Sequence, residues 1–231
     1  MSDPKIIIAL DYDNADPVIK LVKELDPGLC RLKIGKELFT SCGPDIVKQV
    51  QDFGFDVFLD LKFHDIPATV AKACKASANL GVWMLNVHAL GGSAMLRAAV
   101  EAIGECNNNP LLIAVTLLTS HAQSDLEEIG IHDSIDSQVL KLAKMAKTSG
   151  LNGVVCSAKE AGDIRQQVAK DFICVTPGIR PAGSDVNDQK RVVTPQSALA
   201  GGSSYLVIGR PITQAVDPKQ ALMDINSSIT K

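Results

Sequence analysis

Eight short apolar runs recur along the whole chain, and they constrain the fold more than any other feature of the sequence. In order, they are KIIIALD, CRLKIG, DVFLDLK, MLNVHA, LLIAVTLL, GVVCSA, ICVTPG and YLVIGR. They are continuously hydrophobic rather than strictly alternating, which is typical of parallel strands covered on both faces.

Stretches with helical spacing separate these runs. The clearest are DPVIKLVKELD, GPDIVKQVQDFG, ATVAKACKASANLG, SAMLRAAVEAIGE and DSQVLKLAKMAKTSG. Several begin near Asp, Ser or Thr and end in Gly, as capped helices do. Eight strands that alternate with helices predict an α/β fold of the (β/α)8 TIM barrel type. The alternative is a doubly wound open sheet, which usually has fewer strands.

Nothing in the sequence divides the chain into parts. No Pro-, Gly- or Ser-rich linker interrupts it, so we predict a single barrel catalytic domain over residues 1–231. Barrels of this class commonly have this length, and 46% hydrophobic residues can supply their core. Two connections are long and polar: residues 120–136 after the fifth run and 179–195 after the seventh. On the active face of a barrel, such loops are candidate lids.

Charge and composition argue against several classes of partner. The net charge is −3 and there is no basic run, so we predict no nucleic-acid partner. No run of about 20 apolar residues occurs, so we predict no membrane partner either. The six cysteines contain no CxxC pair. This pattern favours reduced thiols and a cytoplasmic location.

The third run ends in an unusual concentration of charge. Asp60 and Lys62 share one face of the strand because they are two residues apart, so both point toward the barrel mouth. Pro67 fits the first turn of a helix, which puts Asp65 and Thr69 at the strand-to-helix turn. Opposite charges in a desolvated pocket keep one another ionised. The stretch therefore predicts a catalytic site with an ammonium group fixed beside a carboxylate.

Other predicted strands also end in polar residues, at the face where barrels build their active sites. In chain order these are Asp11, Lys33, His88, Thr119, Arg180, Gly209 and Arg210. In TPGIRP and VIGRP, Gly and Arg stand close together after the last two strands. Glycine lets backbone N–H groups approach an anion and Arg binds it in a bidentate way, so these loops predict a phosphate site.

The sequence offers little support for a metal. Its four histidines show no ligand spacing, and no HExxH occurs. Asp60 and Asp65 are a possible Mg²⁺ pair, but Lys62 between them already neutralises the site. We therefore predict that the protein uses no metal and no cofactor.

DLKFHDIPATV, residues 60–70, resembles the signature of the orotidine 5′-monophosphate decarboxylase family, Asp-x-Lys-x-x-Asp-Ile-Gly/Pro-x-Thr. Further blocks resemble that family in order along the chain: ALDYDN, LKIGKELF, NVHALGG, VTLLTS, TPGIR and VIGRPIT. The resemblance implies a barrel carboxy-lyase that converts orotidine 5′-monophosphate to uridine 5′-monophosphate and CO₂. This is the last step of pyrimidine nucleotide synthesis.

The resemblance also implies roles for individual residues. Asp60 and Lys62 would face the pyrimidine carboxylate, with Lys62 as the proton donor. Asp11 and Lys33 would bind the ribose, and Lys33 would also join the charge network. No other group in the sequence offers an electron sink, so stabilisation of the carbanion would be electrostatic.

Further implied contacts involve the phosphate, the base and a second subunit. Asp65 and Thr69 would reach into the neighbouring subunit's site, which implies a homodimer with composite active sites. The remaining implied substrate contacts are Thr119, Pro177, Arg180, Gln189, Gly209 and Arg210.

Two alternatives remain open. A Mg²⁺-dependent keto-sugar-phosphate decarboxylase or aldolase of a related barrel family shares the Asp-x-Lys-x-x-Asp pattern, although the DIPATV continuation and the Asp11/Lys33 pair argue against it. A non-catalytic nucleotide-binding barrel would tolerate the loss of Asp60 or Lys62, yet both are present.

Overall fold

Eight parallel strands form a closed barrel in the computed structural model, which describes residues 3–181 and 193–229. Each strand pairs with the next along the chain, and the first pairs with the last, with Ile6 opposite Leu206. This closure confirms the TIM barrel and excludes the open sheet. The strands are β1 Ile6–Leu10, β2 Cys30–Gly35, β3 Val57–Phe63, β4 Met84–His88, β5 Leu111–Val115, β6 Gly153–Val155, β7 Ile173–Thr176 and β8 Tyr205–Ile208.

Helices follow the strands on the outside of the barrel. Those in the described ranges are α1 Ala15–Glu24, α2 Lys36–Cys42, α3 Asp45–Gln51, α4 Pro67–Asn79, α5 Gly92–Gly104, α6 Gln123–Glu128, α7 Ile135–Thr148, α8 Ala161–Gln167, α9 Pro195–Ala200, α10 Arg210–Thr213 and α11 Pro218–Ile229. Local signals explain several starting points. Pro67 opens α4 as predicted. Ser134 caps α7 by accepting a hydrogen bond from the Ser137 backbone N–H.

The strands bury side chains on both faces, which explains why their sequences are continuously apolar. One face packs against the helices and the other fills the barrel. The inner core contains Ile7, Phe58, Met84, Ile113 and Val175, all 0–1% exposed. Toward the C-terminal end of the barrel, the inward-facing side chains become polar. The floor of the candidate site is therefore formed by the apolar inner core.

The structure describes the two predicted long loops to different extents. Residues 120–136 contain the short helix α6 and the first residues of α7. In the other loop, a β-bridge joins Ile179 to Val193 across the two described ranges. Gln189 lies outside the described residues. A lid role for either loop stays a prediction.

Two further observations bear on the class of protein. All six cysteines are free thiols, four of them buried. Within residues 3–181 and 193–229, no helix is both long enough and apolar enough to cross a bilayer. The cytoplasmic location and the single domain over residues 1–231 stay predictions.

Candidate active site

Four predicted residues form a chain of alternating charge at the C-terminal mouth of the barrel. The Lys62 ammonium lies 2.6 Å from Asp60 Oδ1, and the Lys33 ammonium lies 3.4 Å from Asp60 Oδ2. Lys33 also lies 3.3 Å from Asp11 Oδ1. The order is Asp11, Lys33, Asp60, Lys62, so each lysine has a carboxylate neighbour.

The parallel register brings these residues together. Lys33 stands opposite Ala9 on β1 and Phe58 on β3, in the inward-facing row. Its long side chain reaches toward the mouth past Gly35. A Cβ atom on Gly35 would lie 3.1 Å from the Lys33 nitrogen and 3.8 Å from Asp11 Oδ1. Glycine at this position therefore leaves the space that the Asp11–Lys33 pair occupies.

Asp60 is the electrostatic centre of the cluster. Its side chain is only 13% exposed. Burial raises the pKa of its carboxyl, but the Lys33 and Lys62 charges and hydrogen bonds from Lys62 and Asn86 outweigh burial and lower the pKa below its usual value. Asp60 is consequently ionised at neutral pH, and its charge keeps two ammonium groups at the barrel mouth.

The backbone at Lys62 is strained. Its φ of 54° lies in the left-handed region, which among the described non-glycine residues is shared only with Asn109. The β3–β4 register also shifts between Leu59 and Phe63, around this residue. Such a conformation costs on the order of 1–3 kcal/mol and persists only where its surroundings hold it, which is typical of functional sites.

Asn86 is a site residue that the sequence analysis missed. It lies on β4 and is 0% exposed. Its Nδ2 donates to Asp60 Oδ1 at 2.7 Å, and its Oδ1 accepts from the Lys62 backbone N–H at 2.8 Å. A signal was present in the sequence, because an Asn within the apolar run MLNVH must find hydrogen-bond partners when buried.

Histidines lie beside the cluster. The ring of His88, at the end of β4, stacks on His64 with 5.5 Å between centroids. Burial, helped by the nearby His64, His121, Lys36 and Lys62, lowers the pKa of His88 to about 4. The ring is therefore neutral at pH 7. Its Nδ1 is buried and has no hydrogen-bond partner among the described residues.

Asp65 and Thr69 lie outside the alternating chain. Both are exposed, beyond the end of β3, and Asp65 Oδ1 accepts a hydrogen bond from the Ile66 N–H at 2.6 Å. Across the part of the chain that the structure describes, no hydrogen bond or ion pair joins Asp65 to Asp60 or Lys62. Within one chain, these two predicted residues are not assembled with the others.

The end of β8 lies next to the first loop. Gly209 precedes α10, and Arg210 is the first residue of that helix. A Cβ atom on Gly209 would lie 3.8 Å from Asp11 Oδ2, so the two residues adjoin. Burial raises the pKa of Tyr12 in the β1 loop, and the nearby Thr213 side chain of α10 partly offsets this effect. The predicted phosphate residues Gly209 and Arg210 thus border the charged chain.

The remaining predicted residues follow β5 and β7. Thr119 is exposed, and Pro177 is half-buried. Arg180 is buried; its backbone N–H donates to the Val193 carbonyl at 3.1 Å, and its Nη1 donates to the Ile179 carbonyl at 3.2 Å. The structure therefore places all three after strand ends on the predicted face.

Both carboxylate oxygens of Asp60 at the barrel mouth already have partners within the protein. Asp60 Oδ1 takes bonds from Lys62 and Asn86, and Asp60 Oδ2 faces Lys33. Among residues 3–181 and 193–229, no three His, Cys, Asp or Glu side chains are grouped to hold a metal ion.

Known proteins of the same architecture resemble the chain over nearly its whole length. The model of the orotidine 5′-phosphate decarboxylase / HUMPS family matches residues 4–225. The orotidine 5′-phosphate decarboxylase of Hydrogenovibrio crunogenus is 57% identical, over 98% of this chain and 96% of that one. The enzyme of the same name from Vibrio cholerae serotype O1, strain ATCC 39541, is 56% identical over 99% of this chain and 100% of its own.

Solved structures agree. The crystal structure of orotidine 5′-phosphate decarboxylase from Lactobacillus acidophilus has a TM-score of 0.88 and 40% identity, covering 99% of this chain and 100% of that one. An uncharacterized conserved protein from Geobacillus kaustophilus has a TM-score of 0.85 and 38% identity, covering 97% and 99% of the two chains. This chain belongs to the orotidine 5′-phosphate decarboxylase / HUMPS family.

Proposed function

We propose that this protein is a carboxy-lyase that converts orotidine 5′-monophosphate to uridine 5′-monophosphate and CO₂, the last step of pyrimidine nucleotide synthesis. The alternating chain Asp11–Lys33–Asp60–Lys62 at the barrel mouth carries the proposal. The full-length identity to enzymes of that name supports the choice of substrate.

The chemistry requires a cation at the reacting carbon. Loss of CO₂ from an sp² ring carbon leaves an electron pair with no adjacent electron sink. The Lys62 ammonium, fixed 2.6 Å from Asp60, stabilises that pair electrostatically and then donates a proton to it. The new C–H bond replaces the broken C–C bond, and solvent returns the proton to Lys62.

Asp60 and Lys33 prepare this step. Asp60 stays ionised, so it holds the Lys62 ammonium in place before the substrate arrives. Its negative charge also faces the substrate carboxylate, which disfavours the bound substrate relative to the transition state. Lys33 and Asp11, joined at 3.3 Å, bind the ribose hydroxyls.

The phosphate is bound by the loops after β7 and β8. Arg180, Gly209 and Arg210 supply a guanidinium pair and a helix start beside Asp11. Thr119 and Pro177 flank the base, and Gln189 completes the proposed set from outside the described residues. Binding energy from this remote group orients the substrate at Lys62.

The reaction needs no metal or organic cofactor in this proposal. Both Asp60 oxygens are engaged by Lys33, Lys62 and Asn86, so the central carboxylate has its partners within the protein. The test is turnover of orotidine 5′-monophosphate by protein that has been dialysed exhaustively against a chelator. We expect full activity. Activity that disappears and returns with Mg²⁺ would favour the keto-sugar-phosphate alternative.

We further propose a homodimer in which Asp65 and Thr69 complete the partner's site. Both residues are exposed in the single chain, and Ile66 between them is 66% exposed, which is unusual for a large apolar side chain. A two-fold interface would cover Ile66 and carry its two polar neighbours to the other barrel mouth.

Subunit mixing tests the composite site. Lys62→Ala and Asp65→Asn, each inactive alone, are unfolded and refolded together in equal amounts. Random pairing makes about half the dimers mixed, and each mixed dimer has one site with both lesions and one with neither, so activity should recover to roughly a quarter of wild type. With subunit exchange verified by mass, no recovery would mean that each site is built within one chain.

A further inference from the structure

The side chain of Asn86 closes a ring of hydrogen bonds around the strained residue Lys62. Its Oδ1 accepts from the Lys62 backbone N–H at 2.8 Å, and its Nδ2 donates to Asp60 Oδ1 at 2.7 Å. The same Asp60 oxygen accepts from the Lys62 ammonium at 2.6 Å. The ring therefore runs from the backbone of Lys62 through Asn86 and Asp60 to the end of the Lys62 side chain.

Asn86 takes over a bond that the sheet does not supply. The β3–β4 pairing is regular at Leu59 opposite Leu85 and resumes at Phe63 opposite Val87, with a register shift between them. The intervening Lys62 has φ 54° and donates its N–H to a side chain instead of the neighbouring strand. An irregularity of this kind re-aims a side chain and is common beside active sites.

The ring requires the chemistry of an amide at position 86. It needs one acceptor, for the Lys62 N–H, and one donor, for the Asp60 carboxylate. An ionised Asp has no donor and would face Asp60 with a like charge, and Leu has neither group. The site is 0% exposed, so within the protein's interior water does not substitute for a lost bond.

We propose that Asn86 is a positioning residue for the decarboxylation: it holds the backbone of Lys62 in the left-handed conformation and aligns Asp60, so that the Lys62 ammonium is presented to the substrate. The identity of the reaction rests on the function proposed above. The hydrogen bonds from Asn86 to Lys62 and Asp60 involve only this chain's own residues and do not depend on the substrate.

The primary variant is Asn86→Leu, which has a similar volume and removes both bonds. We expect kcat to fall about 100-fold, the scale of a misplacement of about 1 Å at a reacting group. KM should change less than about 3-fold, because the side-chain hydrogen bonds of Asn86 among the described residues go to Lys62 and Asp60 and not to residues assigned to the phosphate. Asn86→Asp, which preserves shape, should also lose kcat because its donor is gone.

Asn152, an exposed residue that precedes β6, provides a control at the opposite end of the barrel. Its Oδ1 accepts from the Leu112 backbone N–H at 2.8 Å, the same kind of bond that Asn86 makes to Lys62. Asn152→Leu should lower the melting temperature while kcat stays within about 2-fold of wild type. An equal loss of kcat in Asn152→Leu would show that Asn86 acts only through stability and would overturn the inference.

A crystal structure of Asn86→Leu gives a readout that is independent of turnover. We expect φ of Lys62 to leave the left-handed region, or the Lys62–Asp60 distance to exceed about 4 Å, the limit of an ion pair. If Lys62 and Asp60 keep their geometry, or if both folded Asn86 variants keep wild-type kcat, Asn86 is not a positioning residue. If the wild-type protein does not decarboxylate orotidine 5′-monophosphate, the proposed function is refuted. The crystal structure of Asn86→Leu then still tests whether Asn86 holds Lys62 and Asp60 in place.

Discussion

Strand β2 carries two buried cations two residues apart, and they serve opposite ends of the barrel. Arg31 lies at the N-terminal end, where it pairs with Asp3 at 2.8 Å and Asp56 at 3.1 Å. Its guanidinium also lies 4.0 Å from the centre of the Trp83 ring and 5.3 Å from that of Tyr205. This cation is enclosed by two carboxylates and two aromatic faces.

Lys33 has a different setting at the C-terminal end. It lies between Asp11 and Asp60, at 3.3 and 3.4 Å, without an aromatic ring to cover it among the described contacts. The neighbouring Lys62 is 25% exposed at its side chain and has a left-handed backbone. A strained backbone and a partly exposed lysine side chain therefore occur together at the C-terminal mouth of the barrel.

The contrast separates a cluster that stabilises the barrel from one that we propose performs chemistry. At the bottom, Arg31 sits in a regular strand, and cation–π contacts and ion pairs add to stability. At the top, under the function proposed above, strain is retained because it presents charges to the substrate. Mutations at the two ends should consequently affect different quantities, activity at one and the free energy of unfolding at the other.

The largest effect is expected for Lys62→Ala. Turnover should fall by at least about 10³-fold, because the variant loses the electrostatic stabiliser and the proton donor together. The melting temperature should stay close to that of wild type, since Asp60 keeps Lys33 and Asn86 as partners. Steady-state kinetics and thermal unfolding measure the two quantities. More than a tenth of wild-type kcat would remove Lys62 from its assigned role.

Arg31→Met should show the reverse pattern. The free energy of unfolding should fall by about 2–4 kcal/mol, because Asp3 and Asp56 lose their shared partner and the two rings lose a cation. kcat should stay within about 3-fold, measured beside urea denaturation. The control is Lys5→Met, whose ammonium also pairs with Asp3 at 2.6 Å but whose side chain is 43% exposed, against 10% for Arg31. A loss of kcat without a loss of stability would contradict the division between the two ends.

The pH dependence of stability should also come from the top of the barrel. His88 has a pKa of about 4 in the folded chain, below its usual value near 6.5. Between these values the unfolded chain binds a proton that the folded chain does not, so stability falls as the pH drops from about 6.5 to 4. His88→Gln should flatten this part of a urea-denaturation series. The exposed His132→Gln is the control, and an unchanged slope in His88→Gln would refute the assignment.

The smallest effect is expected for Lys141→Ala. Its ammonium lies 2.6 Å from Asp133, as close as Lys62 lies to Asp60, but the two side chains are 60% and 43% exposed. Solvent screens such a pair, so we expect a change of about 0–0.5 kcal/mol in unfolding and no change in kcat. A larger loss of stability would show that ion-pair distance matters more here than burial.

Several features of the fold and site were predictable because they depend on local patterns. The apolar runs specify buried strands, and the rule that barrel sites lie at the C-terminal strand ends is enough to gather Asp11, Lys33, Asp60 and Lys62. Those four residues do meet in the structure. The roles proposed for them and for the dimer stay predictions until the experiments above are done.

Other features depended on partners that are far apart in sequence. Asn86 and Asp60 are 26 residues apart, and Asn86 and the Lys62 N–H are 24 apart. The enclosure of Arg31 on β2 joins Tyr205 of β8, residues just before β3 and β4, and the N-terminal segment, with Tyr205 and Asp3 separated by 202 positions. Sequence periodicity does not encode which of these side chains touch.

By itself, the sequence determined the order of strands and helices, the face of each strand-end residue and the residue types available for chemistry, because these follow from short-range periodicity and from alternation along a strand. Only the tertiary structure decided that Lys62 is left-handed, that Asn86 supports it, and that Arg31 and Lys33 on one strand belong to different clusters. Barrel closure and inter-strand register fix those contacts, and both arise from packing the whole chain at once.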